Sequence, residues 1–402
     1  MAPTLCLNAG SSSLKFALFD PTAHRGPDGL PHALLRGEID APDGRTIATV
    51  VSPGEAARTL HPPHTRGDVA SETRWLLDWL VRNRPALDRP ALVVHRIVHG
   101  GTRYVRPTVV TFEVLRDLEA LADLAPLHQG PGLAGIRAAA DALPGARAVA
   151  CFDTAFHAGH PESETRYALP AVWYERGYRR YGFHGLSYES VARRLPALLG
   201  TRAQGAVVVA HLGSGASLCG LRNLRSVTTT MGLTALDGLV MSTRPGALDP
   251  GLVLRWVNHE RLDAREIEDL LYRRSGLLGV SETSADIRDL VDRDEPRAAL
   301  AVEMFVASVV RHCGAIAATL GGLDALVFTG GIGTHQEALR AEIVRRLGWL
   351  GFGIDPDARS SRECPPLLSP PGHPPVLALE AKEEEVMALG AWESVTDEGK
   401  DG

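Results

Sequence analysis

TLCLNAGSSSLKFALFD, residues 4–20, has a counterpart far along the chain in AVVVAHLGSGASLCGLR, residues 206–222. In both, an apolar run ends in a polar residue, a turn of glycine and serine follows, and a second apolar run begins. This pattern predicts one β-hairpin in each half of the chain. Because strand patterns alternate with helical patterns elsewhere, we expect a duplicated α/β fold.

The two turns have the composition of a phosphate-binding loop. Small residues let backbone N–H groups approach an anion closely, and hydroxyl groups add hydrogen-bond donors. Asn8, Ser11, Ser13 and Lys15 supply polar groups to the first turn, and His211 precedes the second. A polar hairpin explains either turn alone, but two matched turns favour binding of one phosphate chain. A third turn of this kind, TGGIG, follows an apolar run near the C-terminus.

Composition and charge limit which classes of protein this chain can belong to. The chain has 402 residues, enough for two domains, with 45% hydrophobic and 22% charged residues. A net charge of −6 without a basic tract argues against nucleic-acid and membrane-surface partners. Five widely spaced cysteines favour buried, reduced thiols in a cytoplasmic protein. No apolar stretch is expected to be long enough to span a bilayer.

Two glycine-rich motifs that signal nucleotide binding elsewhere do not apply here. The first turn lacks the GxxxxGK[ST] pattern and the helix start of a Walker A loop. GPGLAG, residues 130–135, matches GxGxxG but follows a helical pattern instead of a strand. We interpret it as a loop at a helix start and reject a dinucleotide-binding Rossmann fold.

Charged residues at strand ends are the candidate catalytic groups. Arg96 lies inside an apolar strand, where its guanidinium needs an anion, either a structural carboxylate or a substrate. Arg244 lies in a loop of glycine and proline, and His184 in the glycine-flanked segment YGFHG. Asp153 follows a buried strand, where it either caps the next helix or faces a ligand with magnesium.

Periodicity predicts the principal elements. Ser71 is expected to cap a helix over 72–82, and Ser187 a helix ending near Leu199. Loops with one or two short strands are expected over 21–66. Further strands are predicted at 91–98, 147–152, 325–328 and 376–380, helices at 113–124, 297–320 and 382–394, and a Pro-rich connection at 361–375.

The ordered set of motifs resembles the acetate kinase family. It comprises NAGSSSLKF, HRIVHGG, APLH, FDTAFH, YALP, RRYGFHG, HLGSGASL, TTTMGLTALDGL, TRPGALDP and FTGGIG, which together span residues 5 to about 388. The resemblance implies two ribonuclease-H-like domains of the actin-like ATPase fold with a cleft between them. By position, the first is residues 1–153 plus 381–402, and the second, nucleotide-binding domain is residues 154–380. It also implies Mg²⁺, with Mn²⁺ as an alternative, ATP as co-substrate, a small carboxylate substrate, and a homodimer.

The resemblance carries over to individual residues. Asn8 and Glu383 match the magnesium-linked residues, although the run Glu383–Glu385 also allows Glu384. Asp153, His184 and Arg244 match the catalytic residues. Arg96 matches the residue that binds the substrate carboxylate. The residues that match the wall around the acyl group are Val98, Leu127 and Phe183. The ATP contacts correspond to Lys15, His211, Leu212, Gly213, Ser214, Gly215, Asp286, Ile287, Arg288, Gly331, Ile332, Gly333, Thr334 and His335.

Several positions depart from the family pattern. Ser214 replaces a frequent Asn, Thr334-His335 replaces Glu-Asn, and Ile287 replaces the Phe of Asp-Phe-Arg. These changes bear on nucleotide affinity and base preference. Gln129-Gly130 replaces Asn-Pro after APLH, and Ala235 replaces a frequent pocket proline. These two bear on acyl chain length.

The chemistry of a carboxylate acceptor defines the expected mechanism. A carboxylate is already deprotonated at neutral pH, so the obstacle is its repulsion from an anionic γ-phosphoryl group. Two unit charges about 4 Å apart repel by roughly 4 kcal/mol at an effective dielectric of about 20. We expect Arg96 to orient the carboxylate and Arg244 and His184 to neutralise charge. Asp153 and Glu383 would hold magnesium, and transfer would be direct and in line.

Three other functions fit the same motifs. A propionate or butyrate kinase of the same fold differs only in its acyl preference. A nucleotide switch like Hsp70 or actin would hydrolyse ATP without an acyl acceptor, but it leaves Arg96 unexplained. An inactive member of the family would account for the changes at Ser214, Thr334 and His335.

Overall fold

The computed structural model describes residues 2–10, 13–41, 45–63, 68–84, 89–355, 358 and 367–398. The chain forms two compact units, residues 1–158 together with 382–402, and residues 159–381. Each unit has one mixed β-sheet with helices packed on it. The domain borders expected after residues 153 and 380 remain predictions.

The first unit is built on an eight-stranded sheet. Its strand order is β5-β4-β3-β2-β1-β6-β8-β7. β1 pairs antiparallel with β2 and parallel with β6, and β6 is parallel to β8. The strands are β1 Thr4–Ala9, β2 Leu14–Phe19, β3 Ala33–Asp40, β4 Ile47–Val51, β5 Arg58–Leu60, β6 Leu92–Ile97, β7 Thr108–Val109 and β8 Arg147–Phe152.

The helices of the first unit include the last helix of the whole chain. They are α1 Val69–Asn83, α2 Phe112–Glu119, α3 Gln129–Ala142 and the C-terminal helix Glu383–Glu398, with 3₁₀ turns at Ala122–Leu124 and Ala155–His157. α1 and α3 pack together, and the C-terminal helix lies against β1, β6 and β8. Its buried residues, Val386, Met387 and Leu389, therefore contribute to the core of the first unit.

The second unit is built on a five-stranded sheet of order β11-β10-β9-β12-β13. The strands are β9 Val207–Leu212, β10 Ala216–Arg222, β11 Arg225–Thr229, β12 Ala325–Thr329 and β13 Val376–Ala378. The helices are α4 Glu162–Thr165, α5 Ala171–Glu175, α6 Gly185–Leu199, α7 Pro250–Arg255, α8 Ala264–Arg273, α9 Gly276–Ser281, α10 Ile287–Val291, α11 Pro296–Leu320, α12 Gly330–His335 and α13 Glu337–Arg346. Short 3₁₀ turns lie at Gly200–Gln204 and Gly348–Leu350, and a π-helical turn at Trp256–Glu260.

The two sheets share one five-stranded arrangement. In the first unit, β3-β2-β1 is antiparallel, and β6 and β8 then follow parallel to β1. In the second unit, β11-β10-β9 is antiparallel, and β12 and β13 then follow parallel to β9. The predicted duplication and the mixed α/β class are thus confirmed. Both predicted hairpins are present as β1-β2 and β9-β10.

The third glycine turn is not a hairpin. Thr329 ends β12, and Gly330 begins the short helix α12 directly. Gly330 has φ +76°, and a Cβ there would lie 2.5 Å from the Leu212 carbonyl oxygen, so glycine is required at this helix start. GPGLAG lies within the first turns of α3 and not in a loop before it, since that helix starts at Gln129.

Both predicted serine caps are wrong. Asp68 caps α1, and its carboxylate accepts a hydrogen bond from the backbone N–H of Ser71, which lies inside the first turn. A carboxylate also interacts favourably with the helix dipole, so the aspartate is the stronger cap. His184 occupies the N-cap position of α6, and Ser187 lies in the first turn with its hydroxyl bonded to His211.

Residues 21–66 hold more strand than was predicted. Three strands, β3, β4 and β5, extend the sheet there by antiparallel pairing. Buried and more exposed side chains alternate along β3 and β4, and β5 buries none of its residues, so these strands lack the continuous apolar runs of the buried parallel strands. Residues 361–366 of the predicted Pro-rich connection lie outside the described residues, and residues 367–375 hold turns and a single β-bridge at Leu367.

One helix corrects the expectation that no apolar segment could span a bilayer. Among the described residues, α11 has 25 residues and is long and apolar enough by length and composition. Phe305, Val309 and Cys313 on this helix are fully buried, and the helix packs on α9 and β10 of its own unit. These contacts are those of a core helix.

Two buried histidines make the first unit sensitive to acid. Burial lowers the pKa of His95 from 6.5 to about 3, and that of His99 to about 4. His95 Nε2 and the neighbouring Thr73 hydroxyl are buried without a hydrogen-bond partner among the described residues. Both rings are therefore neutral in the folded protein at pH 5, whereas the same rings in the unfolded chain are largely protonated.

We predict that the free energy of unfolding falls as the pH drops below 6.5. The unfolded chain binds protons there that the folded chain does not, so each histidine removes about 2 kcal/mol between pH 7 and pH 5. Urea unfolding at both pH values measures this change. His95→Gln should remove about one proton from the pH slope, whereas His259→Gln, at an exposed position, should leave the slope unchanged. Equal slopes for wild type and His95→Gln would contradict the assignment.

Candidate active site

The candidate residues of the first unit gather around an ion pair between β6 and β8. Arg96 donates bidentately to Asp153, with Nε–Oδ1 at 3.0 Å and Nη2–Oδ2 at 2.7 Å. The two side chains are only 13% and 2% exposed. Sequence reasoning left open which anion Arg96 meets, and the structure supplies a protein carboxylate. Asp153 is correspondingly not the cap of the next helical turn, since Thr154 holds that position.

Asn8 joins this ion pair to the C-terminal helix. Its side-chain oxygen accepts a hydrogen bond from Arg96 Nη1 at 3.1 Å. Its amide nitrogen donates to Glu383 Oε2 at 2.8 Å and to Glu384 Oε1 at 2.7 Å. One polar cluster thus forms where the end of β1, the strands β6 and β8 and the start of the C-terminal helix meet.

The electrostatics of this cluster are governed by burial and by three carboxylates. Burial acts to lower the pKa of Arg96, but the charges of Asp153 and Glu383 outweigh it and hold that pKa above its ordinary value. Burial, together with the charge of Glu383, raises the pKa of Glu384, against the lowering effect of the Asn8 hydrogen bond. The next carboxylate, Glu385, is turned away and pairs with Arg36 at 2.7 Å.

The donor set of this cluster suits a hard cation. It offers carboxylate and amide oxygens, which are the ligands of Mg²⁺. Within the described parts of the chain, no group of three His, Cys, Asp or Glu side chains is close enough to hold a metal by itself. A magnesium ion here would consequently keep waters and take further oxygens from phosphates, as is usual for this ion.

The remaining candidates of the first unit lie near these strands. Lys15 on β2 is exposed, and Ser13 in the hairpin turn donates to Glu38 at 2.5 Å. Val98, one residue after β6, is buried, and Leu127 is partly exposed. Ser11 lies outside the described residues.

In the second unit, three candidate residues meet at the β9-β10 turn. A Cβ added to Gly215 would lie 2.9 Å from Arg244 Nη2 and 3.2 Å from His184 Nε2. The Arg244 guanidinium and the His184 ring therefore both lie close to the backbone of the turn at Gly215. Gly213 donates to the Gly215 carbonyl at 3.0 Å, which closes the turn, and Ser214 at its tip is exposed.

His184 is held by its backbone and by three neighbouring side chains. It has φ 58° and ψ 23°, a left-handed conformation that few non-glycine residues adopt. Its ring stacks on His211, with centroids 4.2 Å apart and planes 16° apart. Its Nδ1 lies 2.8 Å from the Ser217 hydroxyl, which is 2.5 Å from the Tyr188 hydroxyl. Phe183, the preceding residue, is buried.

Arg244 is a buried guanidinium without a carboxylate partner in the described hydrogen bonds and ion pairs. Its Nη1 donates to the Ala235 carbonyl at 2.8 Å, and 8% of the residue is exposed. Burial lowers its pKa to about 10, which still leaves the group cationic at neutral pH. Such a charge has the electrostatic character of an anion site.

The remaining predicted nucleotide contacts belong to the helices α10 and α12 and to the cap of α10. Asp286 caps α10 by accepting from the Arg288 backbone N–H and also pairs with that side chain. Ile287 between them is 1% exposed, so its side chain packs in the interior of the unit. The exposed Gly331 and His335 lie at opposite ends of α12, with the buried Gly333 between them. Ile332 and Thr334 are partly exposed, and the Thr334 hydroxyl donates back to the Gly330 carbonyl at 2.8 Å.

Sequence reasoning missed the residues behind these groups. Arg340 on α13 donates to the Gly333 and Thr334 carbonyls and so fixes the end of α12. Ser217 pairs directly with His211 across the β9-β10 hairpin, so both side chains project from the same face. The hairpin pattern contained that register, but the meeting of Ser217 with His184 depends on where α6 packs.

The strand order shared by the two sheets, with a glycine-bearing hairpin in each, defines the class of duplicated ribonuclease-H-like folds found in actin-like ATPases. The chain belongs to the acetokinase family, whose model matches residues 3–389. This result confirms the family resemblance inferred from the motifs.

Individual relatives agree with the family assignment. An acetate kinase from Rhodopseudomonas palustris is 47% identical over 392 residues, which cover 96% of this chain and 97% of that protein. The crystal structure of a propionate kinase from Francisella tularensis matches with a TM-score of 0.86 at 31% identity, covering 98% of this chain and 100% of that one. Porphyromonas gingivalis acetate kinase matches with a TM-score of 0.82 at 32% identity and the same coverage.

We predict that Arg96→Met lowers the free energy of unfolding by about 3–5 kcal/mol, because it leaves the buried Asp153 carboxylate without its cation. Arg103→Met is the matched control. Arg103 pairs with Glu113, both side chains are more than half exposed, and exposed pairs contribute only about 0–1 kcal/mol. Urea unfolding of the two variants tests the difference. Equal losses would contradict a buried, tightly held pair.

Proposed function

We propose that the protein is an acetate kinase that transfers the γ-phosphoryl group of ATP to acetate, reversibly, giving acetyl phosphate and ADP. The observation that carries the proposal is the match to the acetokinase family along nearly the whole chain. A carboxylate oxygen attacks the γ-phosphorus, the bond to the β-phosphate oxygen breaks, and ADP leaves with that electron pair. No covalent enzyme intermediate is needed.

In this proposal the first unit holds the carboxylate and the metal-linked phosphates. Arg96 uses three of its five N–H donors on Asp153 and Asn8, and up to two remain for an acyl carboxylate. Asn8, Asp153 and Glu383, with Glu384 beside them, would hold Mg²⁺ partly through water, and Mn²⁺ is the alternative ion. When bound, the metal neutralises phosphate charge. Val98 and Leu127 are assigned to the wall around the acyl group.

The second unit would supply the transition-state charge and the nucleotide contacts. Arg244 and His184 stabilise negative charge on the transferring group, and their approach to Gly215 supports this role. The β9-β10 turn and α12 offer backbone N–H groups to phosphates. The proposed ATP contacts are Lys15, His211, Leu212, Gly213, Ser214, Gly215, Asp286, Ile287, Arg288, Gly331, Ile332, Gly333, Thr334 and His335.

Propionate is the second candidate substrate. The match to the Francisella tularensis propionate kinase structure has a TM-score of 0.86. Ala235, in place of the family's frequent proline, would leave more room for a longer acyl tail, and Phe183 is assigned to the wall around that tail. One methylene contributes only about 1–3 kcal/mol of discrimination. We therefore expect acetate and propionate both to be phosphorylated.

The test is a hydroxamate assay, which traps the acyl phosphate, with ATP and magnesium over formate, acetate, propionate and butyrate. We expect acyl phosphate from acetate and propionate, and none when magnesium is removed with a chelator. ATP hydrolysis without trapped product would instead favour a nucleotide switch. Neither hydrolysis nor product with any nucleoside triphosphate would favour an inactive family member.

We predict that Arg244→Ala and His184→Ala each lower kcat by about 10²–10³, since each removes a donor from the developing charge. Arg193→Ala is the matched control, because Arg193 only forms an ion pair with Glu189 on the surface of α6. Steady-state kinetics with acetate measures all three variants. Near-full turnover by either active-site variant would remove that residue from the proposed mechanism.

We also propose that the enzyme is a cytoplasmic homodimer. Its four described cysteines are buried reduced thiols, which fits a reducing compartment. Cell fractionation tests the location.

The dimer is supported by α7 and the π-helical turn after it, which bury none of their residues. This segment exposes Leu252, Leu254 and Val257, and exposed apolar patches mark interfaces.

We predict that the double change Leu254→Glu and Val257→Glu converts a dimer to a monomer, because it places charge in the apolar patch. Phe112→Glu is the control, since Phe112 is 84% exposed but lies on the first unit. Light scattering coupled to gel filtration measures the mass of each. A monomeric wild type, or an unchanged dimer in the double variant, would contradict this interface.

A further inference from the structure

Two hydroxyl groups lie behind His184, on the side away from Gly215. Ser217 Oγ is 2.8 Å from His184 Nδ1, and Tyr188 Oη is 2.5 Å from the same Ser217 oxygen. Ser217 and Tyr188 are both fully buried. Neither residue was identified from its motif, and neither belongs to the groups assigned above to acyl, phosphate or metal contacts.

Counting hydrogens sets the direction of this chain of bonds. A serine hydroxyl has one hydrogen to donate and two lone pairs to accept. Either hydroxyl could donate in the Tyr188–Ser217 pair. Because a phenol is more acidic than an alcohol, we expect Tyr188 to donate its hydrogen to Ser217. Ser217 then directs its own hydrogen at His184 Nδ1. A ring whose Nδ1 accepts a hydrogen bond carries its proton on Nε2 when neutral.

The surroundings of the ring favour this neutral form. His211 stacks on His184 with nearly parallel planes and 4.2 Å between centroids, so an imidazolium at both positions would place like charges in contact. Arg244 already brings a positive charge to Gly215, the same glycine that His184 Nε2 approaches. His211 Nδ1 is bonded in turn to the Ser187 hydroxyl at 2.8 Å, which fixes the stacked partner.

We propose that Ser217 and Tyr188 are positioning residues that hold His184 as the neutral Nε2–H tautomer, with that N–H directed at the β9-β10 turn. The proposal rests on the proposed function, in which His184 stabilises the transferring phosphoryl group. His184 then acts as a hydrogen-bond donor beside the Arg244 cation and needs no protonation. A donor fixed before the reaction costs no reorganisation when the charge develops.

The first experiment reads the tautomer directly, without any activity. Two-bond ¹H–¹⁵N correlation spectra of histidine-labelled protein at pH 7.5 distinguish the Nε2–H, Nδ1–H and imidazolium forms, and His184→Gln identifies the signal. We expect the Nε2–H pattern in the wild type. In Ser217→Ala we expect the Nδ1–H form to become populated, because the Ser217 hydroxyl no longer donates to Nδ1. An imidazolium or an Nδ1–H ring in the wild type would overturn the proposal, as would an unchanged tautomer in Ser217→Ala.

The second experiment separates positioning from packing. Tyr188→Phe keeps the ring and deletes only the hydroxyl, and Ser217→Thr keeps the hydroxyl. We expect Ser217→Ala to lower kcat by about 10- to 100-fold with the KM for acetate within about twofold, consistent with loss of one aligned donor. Tyr188→Phe should lower kcat by a smaller factor, and Ser217→Thr should recover much of the Ser217→Ala loss.

Ser190→Ala is the matched control for the removal of a buried hydroxyl. Ser190 lies on α6 and donates to the Ser187 carbonyl at 2.8 Å, so kcat should stay near the wild-type value. Circular dichroism and thermal melting confirm that each variant is folded. Equal kcat losses in Ser190→Ala and Ser217→Ala, or no loss in Tyr188→Phe, would overturn the positioning role. A wild type that makes no acyl phosphate would refute the proposed function alone, since the spectra still test the tautomer.

Discussion

A guanidinium inside a β-sheet must meet a carboxylate, and much of the first unit is arranged around that requirement. Arg96 projects from β6, Asp153 follows the parallel neighbour β8, and the two form a bidentate pair that is almost removed from water. Losing either partner would leave a buried charge, which costs far more than an exposed pair contributes. Asn8 and the glutamates of the C-terminal helix attach to the same pair. The cluster is therefore held in place by electrostatics before any ligand arrives.

The second unit also buries a guanidinium, that of Arg244, but with no carboxylate partner in the described hydrogen bonds and ion pairs. Arg244 is buried, and its bond among the described ones is to the Ala235 carbonyl. Its positive charge is therefore available to an anion, whereas that of Arg96 is shared with Asp153. The buried arginines of the two units therefore differ. The charge of Arg96 is paired with a protein carboxylate, whereas the charge of Arg244 favours binding of an anion. Gly215 matters because a side chain there would fill the space that both Arg244 and His184 approach.

Much of the fold could be predicted because its strongest signals are local. The two hairpins, the strands 147–152 and 325–329 and the helix 296–320 follow from apolar periodicity and turn residues. The predictions failed at several strands and at two caps. β3 to β5 form by antiparallel pairing with neighbouring strands. Asp68 and His184 occupy cap positions that were assigned to serines, and the Asp68 cap is a local contact that the sequence could have indicated.

The candidate site was predictable in its residue types but not in its partners. The motifs identified Arg96, Asp153, His184 and Arg244, yet no pattern in the sequence indicates that Arg96 bonds Asp153. The same is true of Ser217, which meets His184 and Tyr188 across the packing of α6 against β9. Contacts between elements distant in sequence depend on tertiary packing, which cannot be predicted from the pattern of a single sequence.

The first unit is assembled from both ends of the polypeptide. β1 is made of residues 4–9, while the helix that packs on it and supplies Glu383 begins more than 370 residues later in the chain. During synthesis the ribosome therefore makes all of the second unit, residues 159–381, before it makes this helix. A nascent chain stalled or cleaved shortly before residue 383 would expose the apolar surface under that helix and lack its acidic groups. The second unit therefore has all its residues before the first unit does, although the first unit begins earlier in the chain.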